Sequence, residues 1–235
     1  MTTFRQIFKN TFTREEISTL ILFEIITGII LSFLSLLIYL YITGAVTSQE
    51  TIFIDNQISV FLLQFRSGWI TGGMLFTSFL GNETIIFFSA LIAIFLTLKK
   101  HHRETFIFTL LVIMGILATN GLKLIYKVPR PDLFPLVFEN SYSFPSGHAL
   151  NSFLFYSTVS YFVYHFTKNK KLTITVALIS LFLVGLIGIS RVYLGVHHPS
   201  DVVAGYIIGF WLLTTTILVD KTITFFNFIS EKNKT

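Results

Sequence analysis

Polar and apolar positions along this chain alternate on a long scale: extended apolar runs are separated by short, charged breaks. Runs at 17–42, 82–98, 105–122, 149–164, 172–189 and 202–219 are each close to the roughly 20 residues a helix needs to cross about 30 Å of hydrocarbon. Between the first two, residues 55–80 are less apolar and broken by Gln64, Arg66, Thr71 and Ser78, which predicts one or two interfacial helices. No Gly/Ser-rich linker and no repeat interrupts the series. The expected architecture is therefore all-α, an integral membrane bundle of six transmembrane helices in a single domain over 1–235. The first run is far longer than the roughly 7–15 residues of a signal-peptide core, so it reads as a retained span.

Composition narrows the class further. Hydrophobic residues make up 53 %, charged residues 12 %, and mean hydropathy is +0.74. A soluble domain carries about 25 % charged residues, so this chain has too little polar surface to cover a globule in water. The 27 Phe and 9 Tyr suit a surface that meets lipid and interface. Zero Cys excludes a disulfide scaffold, thiolate metal centres and thiol catalysis.

The net charge of +5 would admit a nucleic-acid partner, but its distribution does not. Arg5, Lys9 and Arg14, then Lys99, Lys100 and Arg103, then Lys168, Lys170 and Lys171, then Lys221, Lys232 and Lys234, each abut an apolar run. Six spans place all four clusters on one side, leaving Arg66, Lys123, Lys127, Arg130 and Arg191 on the other. Excess Lys and Arg mark the cytoplasmic side, so the termini are expected in the cytoplasm and the opposite loops outside a plasma membrane.

Those outward loops carry the chemistry. Three stretches stand out: K-L-I-Y-K-V-P-R-P at 123–131, P-S-G-H at 145–148 and S-R-V-Y-L-G-V-H-H-P-S-D at 190–201. Three cations, Lys123, Arg130 and Arg191, suit a polyanion, and the arginine fork matches phosphate oxygens. Ser146-Gly147-His148 opens the fourth span, where free backbone N–H groups and the helix dipole favour an anion. His197 and Asp201, four residues apart, share a face if the sixth helix starts near Pro199. A carboxylate on one ring nitrogen leaves the other free to attack phosphorus. His148 is then the candidate acid for the leaving oxygen and later the base for water. This scheme needs no metal or other cofactor.

The three stretches resemble the signature of the type 2 phosphatidic acid phosphatase superfamily, K-x6-R-P, P-S-G-H and S-R-x5-H-x3-D, with every fixed position filled. That resemblance implies His197 as nucleophile, Asp201 as its orienter and His148 as acid/base. It also implies phosphate binding by Lys123, Arg130, Arg191 and the Ser146/Gly147 turn. For bacterial membrane members it implies a lipid phosphate as substrate, such as undecaprenyl pyrophosphate, phosphatidylglycerophosphate or phosphatidic acid, met on the outer leaflet. A non-catalytic lipid-phosphate binder or transporter, and a phosphatase of soluble phosphoesters, stay open as alternatives. Elsewhere, Lys127 reads as an interfacial anchor, and Asn120 and Asn151 as helix–helix hydrogen bonders. His101, His102 and His165 read as structural, and Glu24 as reaching water or a basic residue. His198 and Glu83 are secondary candidates, for substrate contact and for the mouth of a lipid path.

Overall fold

The computed structural model describes residues 14–132 and 134–232, and every regular element among them is an α-helix. In chain order these are α1 (Arg14–Thr47), α2 (Ile52–Leu63), α3 (Gly68–Phe79), α4 (Glu83–Leu98), α5 (His102–Tyr126), α6 (Gly147–Thr167), α7 (Lys170–Tyr193) and α8 (Pro199–Lys232). Five stretches are long and apolar enough to cross a membrane: Thr19–Thr47, Gly68–Leu98, His102–Tyr126, Lys170–Tyr193 and Pro199–Phe226.

The sixth expected span, α6, is 21 residues and thus about 31 Å long, but it is the most polar of the long helices. Its position explains this. It packs against α4, α5, α7 and α8, so its Ser and Thr side chains are shielded from lipid. Ser152 and Thr158 bond back to Ala149 O and Leu154 O, and Ser160 bonds Ser180 of α7 at 3.0 Å. Around it, Leu111, Phe144, Leu150, Leu154, Ala204, Ile208 and Leu212 form one core cluster. A second contains Ile85, Leu96, Phe108, Phe155 and Phe162. Phe23, Phe33, Leu117, Leu181 and Phe182 lie on the outside, more than half exposed, as an apolar belt facing lipid requires.

Helix ends overrun the apolar windows. α1 and α8 are 34 residues each and pack along one another, with Ser32 Oγ and Thr215 Oγ1 2.7 Å apart. Hydrocarbon thickness sets the apolar window, whereas the helix continues until its hydrogen-bond ladder is capped. α5, for example, runs on to Lys127, whose left-handed backbone (φ 50°) and N–H to Lys123 O end it.

Two helices fill the 55–80 region, as expected, and both are docked on the bundle. Ser67 caps α3 by accepting from Ile70 N. α2 packs on α7 and α8, and α3 on α7, so together they roof one end of the bundle. At that end two glycines allow close helix contact. A Cβ on Gly188 of α7 would meet Tyr206 Oη at 2.0 Å, and one on Gly205 of α8 would meet Ser146 O at 2.6 Å. The far end is tied by Arg103–Asp220, Lys221–Glu24 and His165–Glu104 pairs. His165 and Glu24 thus take the structural roles expected of them.

Candidate active site

The three motif blocks converge at the roofed end because each sits at a helix terminus there. Lys123 lies in the last turn of α5 and Arg191 in the last turn of α7. Ser146 is the N-cap of α6, its Oγ accepting from Ala149 N, and Gly147 and His148 are the first residues of that helix. α8 begins at Pro199, so Asp201 falls in its first turn and His197 just before it, the placement that brings i and i+4 together. A hydrogen bond from Ser146 N to Asp201 O locks the two helix starts at 3.0 Å.

His197 is at the centre and is 1 % exposed; Asp201 is fully buried. Its Nδ1 is 3.4 Å from Asp201 Oδ2 and 3.2 Å from Ser143 Oγ. Ser143 donates to the same Asp201 oxygen at 2.5 Å, and His198 N donates to it at 2.8 Å. The carboxylate is therefore fixed by two donors, and Ser143 bridges it to the ring. This arrangement assigns the proton to Nδ1 and leaves Nε2 as a lone pair, 3.5 Å from Arg130 Nη1. Burial, then Arg191, Arg130 and Lys123, hold the imidazole well below its usual 6.5, so it is neutral at neutral pH.

The cations are placed by a polar shell of which the motifs give no hint. Arg130 donates to Val196 O (2.6 Å), Ser141 O (2.7 Å), Ser141 Oγ (3.0 Å) and Glu139 Oε2 (3.1 Å). Lys123 Nζ donates to Ser141 Oγ at 3.0 Å. Arg191 donates to Ser78 of α3 and to Glu139 Oε1. Glu139 thus spans both arginines. Burial by itself would raise its carboxyl, but Arg191 and then Arg130 outweigh burial and hold it below its ordinary value. On the roof, Asp55 of α2 is buried and accepts from Ser200 N (2.9 Å) and Ser200 Oγ (2.7 Å), capping α8 from another helix.

All eight residues expected at the site, Lys123, Arg130, Ser146, Gly147, His148, Arg191, His197 and Asp201, therefore lie at this one end of the bundle. A cavity of ≈ 230 Å³ opens beside them between α4, α5 and α6. Lys123, Glu139 and His148 line one part of it, Ile85, Ile116, Leu154 and Phe155 another. Asn120 and Asn151 also line it, so they face this space and not a helix–helix hydrogen bond as expected. The reason is local packing: Asn151 sets its Oδ1 against Gly115 of α5, 2.5 Å from where a Cβ would stand, and Asn120 lies on an exposed part of α5 beside the cavity. His198 contributes its backbone N–H to Asp201; the side chain of Glu83 lies outside the described residues.

A bundle of apolar helices with this constellation at one end defines a class, and the comparisons agree with it. The PAP2 superfamily model matches residues 104–224, and the chain belongs to that superfamily. Phosphatidylglycerophosphatase B of Bacillus subtilis is 34 % identical over 183 residues, covering 75 % of this chain and 88 % of that protein. An undecaprenyl-diphosphatase of Sulfolobus acidocaldarius is 29 % identical over 206 residues, covering 83 % and 90 %. The crystal structure of the transmembrane PAP2-type phosphatidylglycerolphosphate phosphatase of Bacillus subtilis superimposes with a TM-score of 0.76 at 29 % identity. That superposition covers 82 % of this chain and 96 % of the other.

Proposed function

We propose that this protein is a membrane lipid phosphatase that hydrolyses a lipid phosphomonoester or pyrophosphate through a phosphohistidine on His197. The observation that carries the reading is an apolar slot inside the bundle that runs up to Lys123 and His148, beside the cluster of Arg130, Arg191 and His197. Ile85, Ile116, Leu154 and Phe155 line its continuation. A head group and the start of a hydrocarbon chain fit such a space together, as a soluble phosphoester does not require. The names of the relatives support phosphatidylglycerophosphate and undecaprenyl pyrophosphate as substrates. The bias of Lys and Arg toward the other end supports a pocket on the extracytoplasmic face, with 1–235 acting as one phosphatase domain.

Each residue then has a definite task. Arg130, Arg191, Lys123 and the N-terminus of α6 hold the phosphoryl oxygens and stabilise charge in the transition state. The lone pair of His197 Nε2 forms the N–P bond while the bond from phosphorus to the lipid oxygen breaks. Protonated His148 gives that oxygen its proton. Water then attacks phosphorus, His148 takes a water proton, and the N–P electron pair returns to Nε2 as orthophosphate leaves. Asp201 and Ser143 keep the Nδ1 proton in place through both steps.

The test is phosphate release by purified protein from the three lipids named above and from a soluble phosphomonoester. His197→Ala is expected to abolish release while leaving the protein folded, and EDTA to leave wild-type release unchanged. Full activity in His197→Ala overturns the mechanism. Release from no lipid, with the pocket still binding vanadate, turns the reading to a binder or transporter.

A further inference from the structure

Glu139 lies where a substrate phosphate has to sit. One carboxylate oxygen accepts from Arg130 Nη2 at 3.1 Å and the other from Arg191 Nη2, so its two oxygens engage the two arginines as two phosphoryl oxygens would. It also screens the nucleophile. The cavity reaches Lys123, His148 and Glu139, whereas Arg130, Arg191 and His197 are absent from its lining. His197 at 1 % exposed and Arg191 at 2 % have no open path to an incoming phosphate while Glu139 holds this position. The side chain can leave without the loop unfolding. The loop backbone is anchored at Leu136 N to Leu194 O and at Ser143 N to Val128 O. Between those anchors Val137 packs on Tyr193, Leu194 and Val196, and Ser141 is held by Arg130 and Lys123. Phe138, however, is 89 % exposed and Asn140 is also on the surface, and the Glu139 carboxylate itself is held by the two arginines.

We propose that Glu139 is a displaceable gate, a resident carboxylate that fills the phosphate seat between Arg130 and Arg191 and shields His197 until a phosphate takes those N–H groups. The proposal rests on the phosphatase reading and adds a competitor to it. In the absence of substrate, Glu139 neutralises the two arginines and keeps them extended. When a phosphate dianion arrives, it exchanges carboxylate for phosphate at the same donors, so part of the binding energy is spent on displacement. The same competition speeds departure of orthophosphate after turnover, because Glu139 is tethered beside the seat and returns as an intramolecular ligand.

Two variants, Glu139→Gln, which is nearly isosteric, and Glu139→Ala, test this in detergent-purified protein. Removing the competing charge is expected to lower the inhibition constant of orthophosphate about tenfold in both. KM for the lipid is expected to fall with it, while kcat falls or holds as product release slows. A second readout is independent of turnover: diethylpyrocarbonate modification of His197, located by mass spectrometry, is expected to be faster in Glu139→Ala and to be suppressed by orthophosphate. An orthophosphate constant that is unchanged or raised, or His197 labelling no faster than in the wild type, overturns the gate and leaves Glu139 as an orienter of the arginines. If the wild type releases phosphate from no lipid, the phosphatase reading fails, and His197 labelling still decides the gate.

Discussion

The two ends of the bundle hold similar kinds of residue in opposite circumstances. At the far end, Arg103 faces Asp220, Lys221 faces Glu24, and His165 and His101 share Glu104. The Lys221 and Glu24 side chains stay about half exposed. At the roofed end, Lys123 and Arg191 are buried and Arg130 is half-buried. Among the described residues the acids beside these three cations are Glu139 and Asp201, while the buried Asp55 is taken up by Ser200. Burying a charge is costly unless it is paired, so a surplus of buried positive charge destabilises the protein by itself. Basic residues that meet solvent or an acid near the surface need no explanation beyond topology and solubility. A buried surplus of one sign marks a place where a ligand supplies the missing charge, here an anion.

Truncating one arginine at each end gives the sharpest contrast. Arg191→Ala is expected to lower kcat/KM about a thousandfold, the scale for losing a preorganised donor to developing charge. Arg103→Ala, which loses bonds to Asp220 at 2.6 Å and to Thr224 at 2.9 Å, is expected to leave kcat/KM unchanged. A pH profile adds a sign. His197 attacks only when neutral, and its proton affinity is depressed by burial and then by Arg191. The acid limb of wild-type kcat/KM is thus expected below 6.5, and Arg191→Ala moves the limb due to His197 upward toward that value. Folding follows the same linkage. A buried neutral His stabilises the fold fully above its unfolded pKa, and that contribution is lost as pH falls through and below it. Equal losses of activity at the two ends, or a limb that moves down, would break the comparison.

A smaller effect belongs to the link between nucleophile and carboxylate. Ser143 is buried and does not line the cavity, yet its Oγ lies between His197 Nδ1 and Asp201 Oδ2. Ser143→Ala leaves only the direct 3.4 Å approach. Expected is a fall in kcat of tenfold to about a hundredfold, the scale for losing an orienting partner of a functional histidine, with KM unchanged. A matching rise in KM would instead place Ser143 in substrate binding.

How the residues divide between those legible in the sequence and those not follows from what spacing can encode. Lys123, Arg130, His148, Arg191, His197 and Asp201 sit at or beside helix termini, at fixed offsets from the turns that position them, so a linear pattern contains them. The helices themselves were legible because apolar windows track hydrocarbon thickness. Glu139, Ser141 and Ser143 lie on the 127–146 loop, and Asp55 and Ser78 on the roof, and their partners are 9 to 145 positions away in the chain. No periodicity encodes such pairings. Two weak signals were present: Asp55 is an acid within an apolar stretch, and Glu139 is the only Glu between the first two motif blocks. Asn120 and Asn151 misled for the converse reason. A polar residue in an apolar helix reads the same whether it faces a neighbour or a cavity.

The far end supplies the smallest expected effect. The Lys221–Glu24 pair joins α8 to α1 at 2.6 Å, but both side chains are about half exposed, at 42 % and 52 %. Solvent and salt screen such a pair, and holding two long side chains together costs entropy, so its worth is less than about 1 kcal/mol. Glu24→Gln is expected to shift the thermal midpoint in detergent by at most about 3 °C, and less at high salt, with lipid phosphate release unchanged. A shift beyond about 6 °C would mean that the α1–α8 contact depends on this charge. The packing between the two helices argues otherwise, since Gly28 lets Leu218 approach to 3.4 Å of where a Cβ would stand and Ser32 meets Thr215 deeper in the same interface.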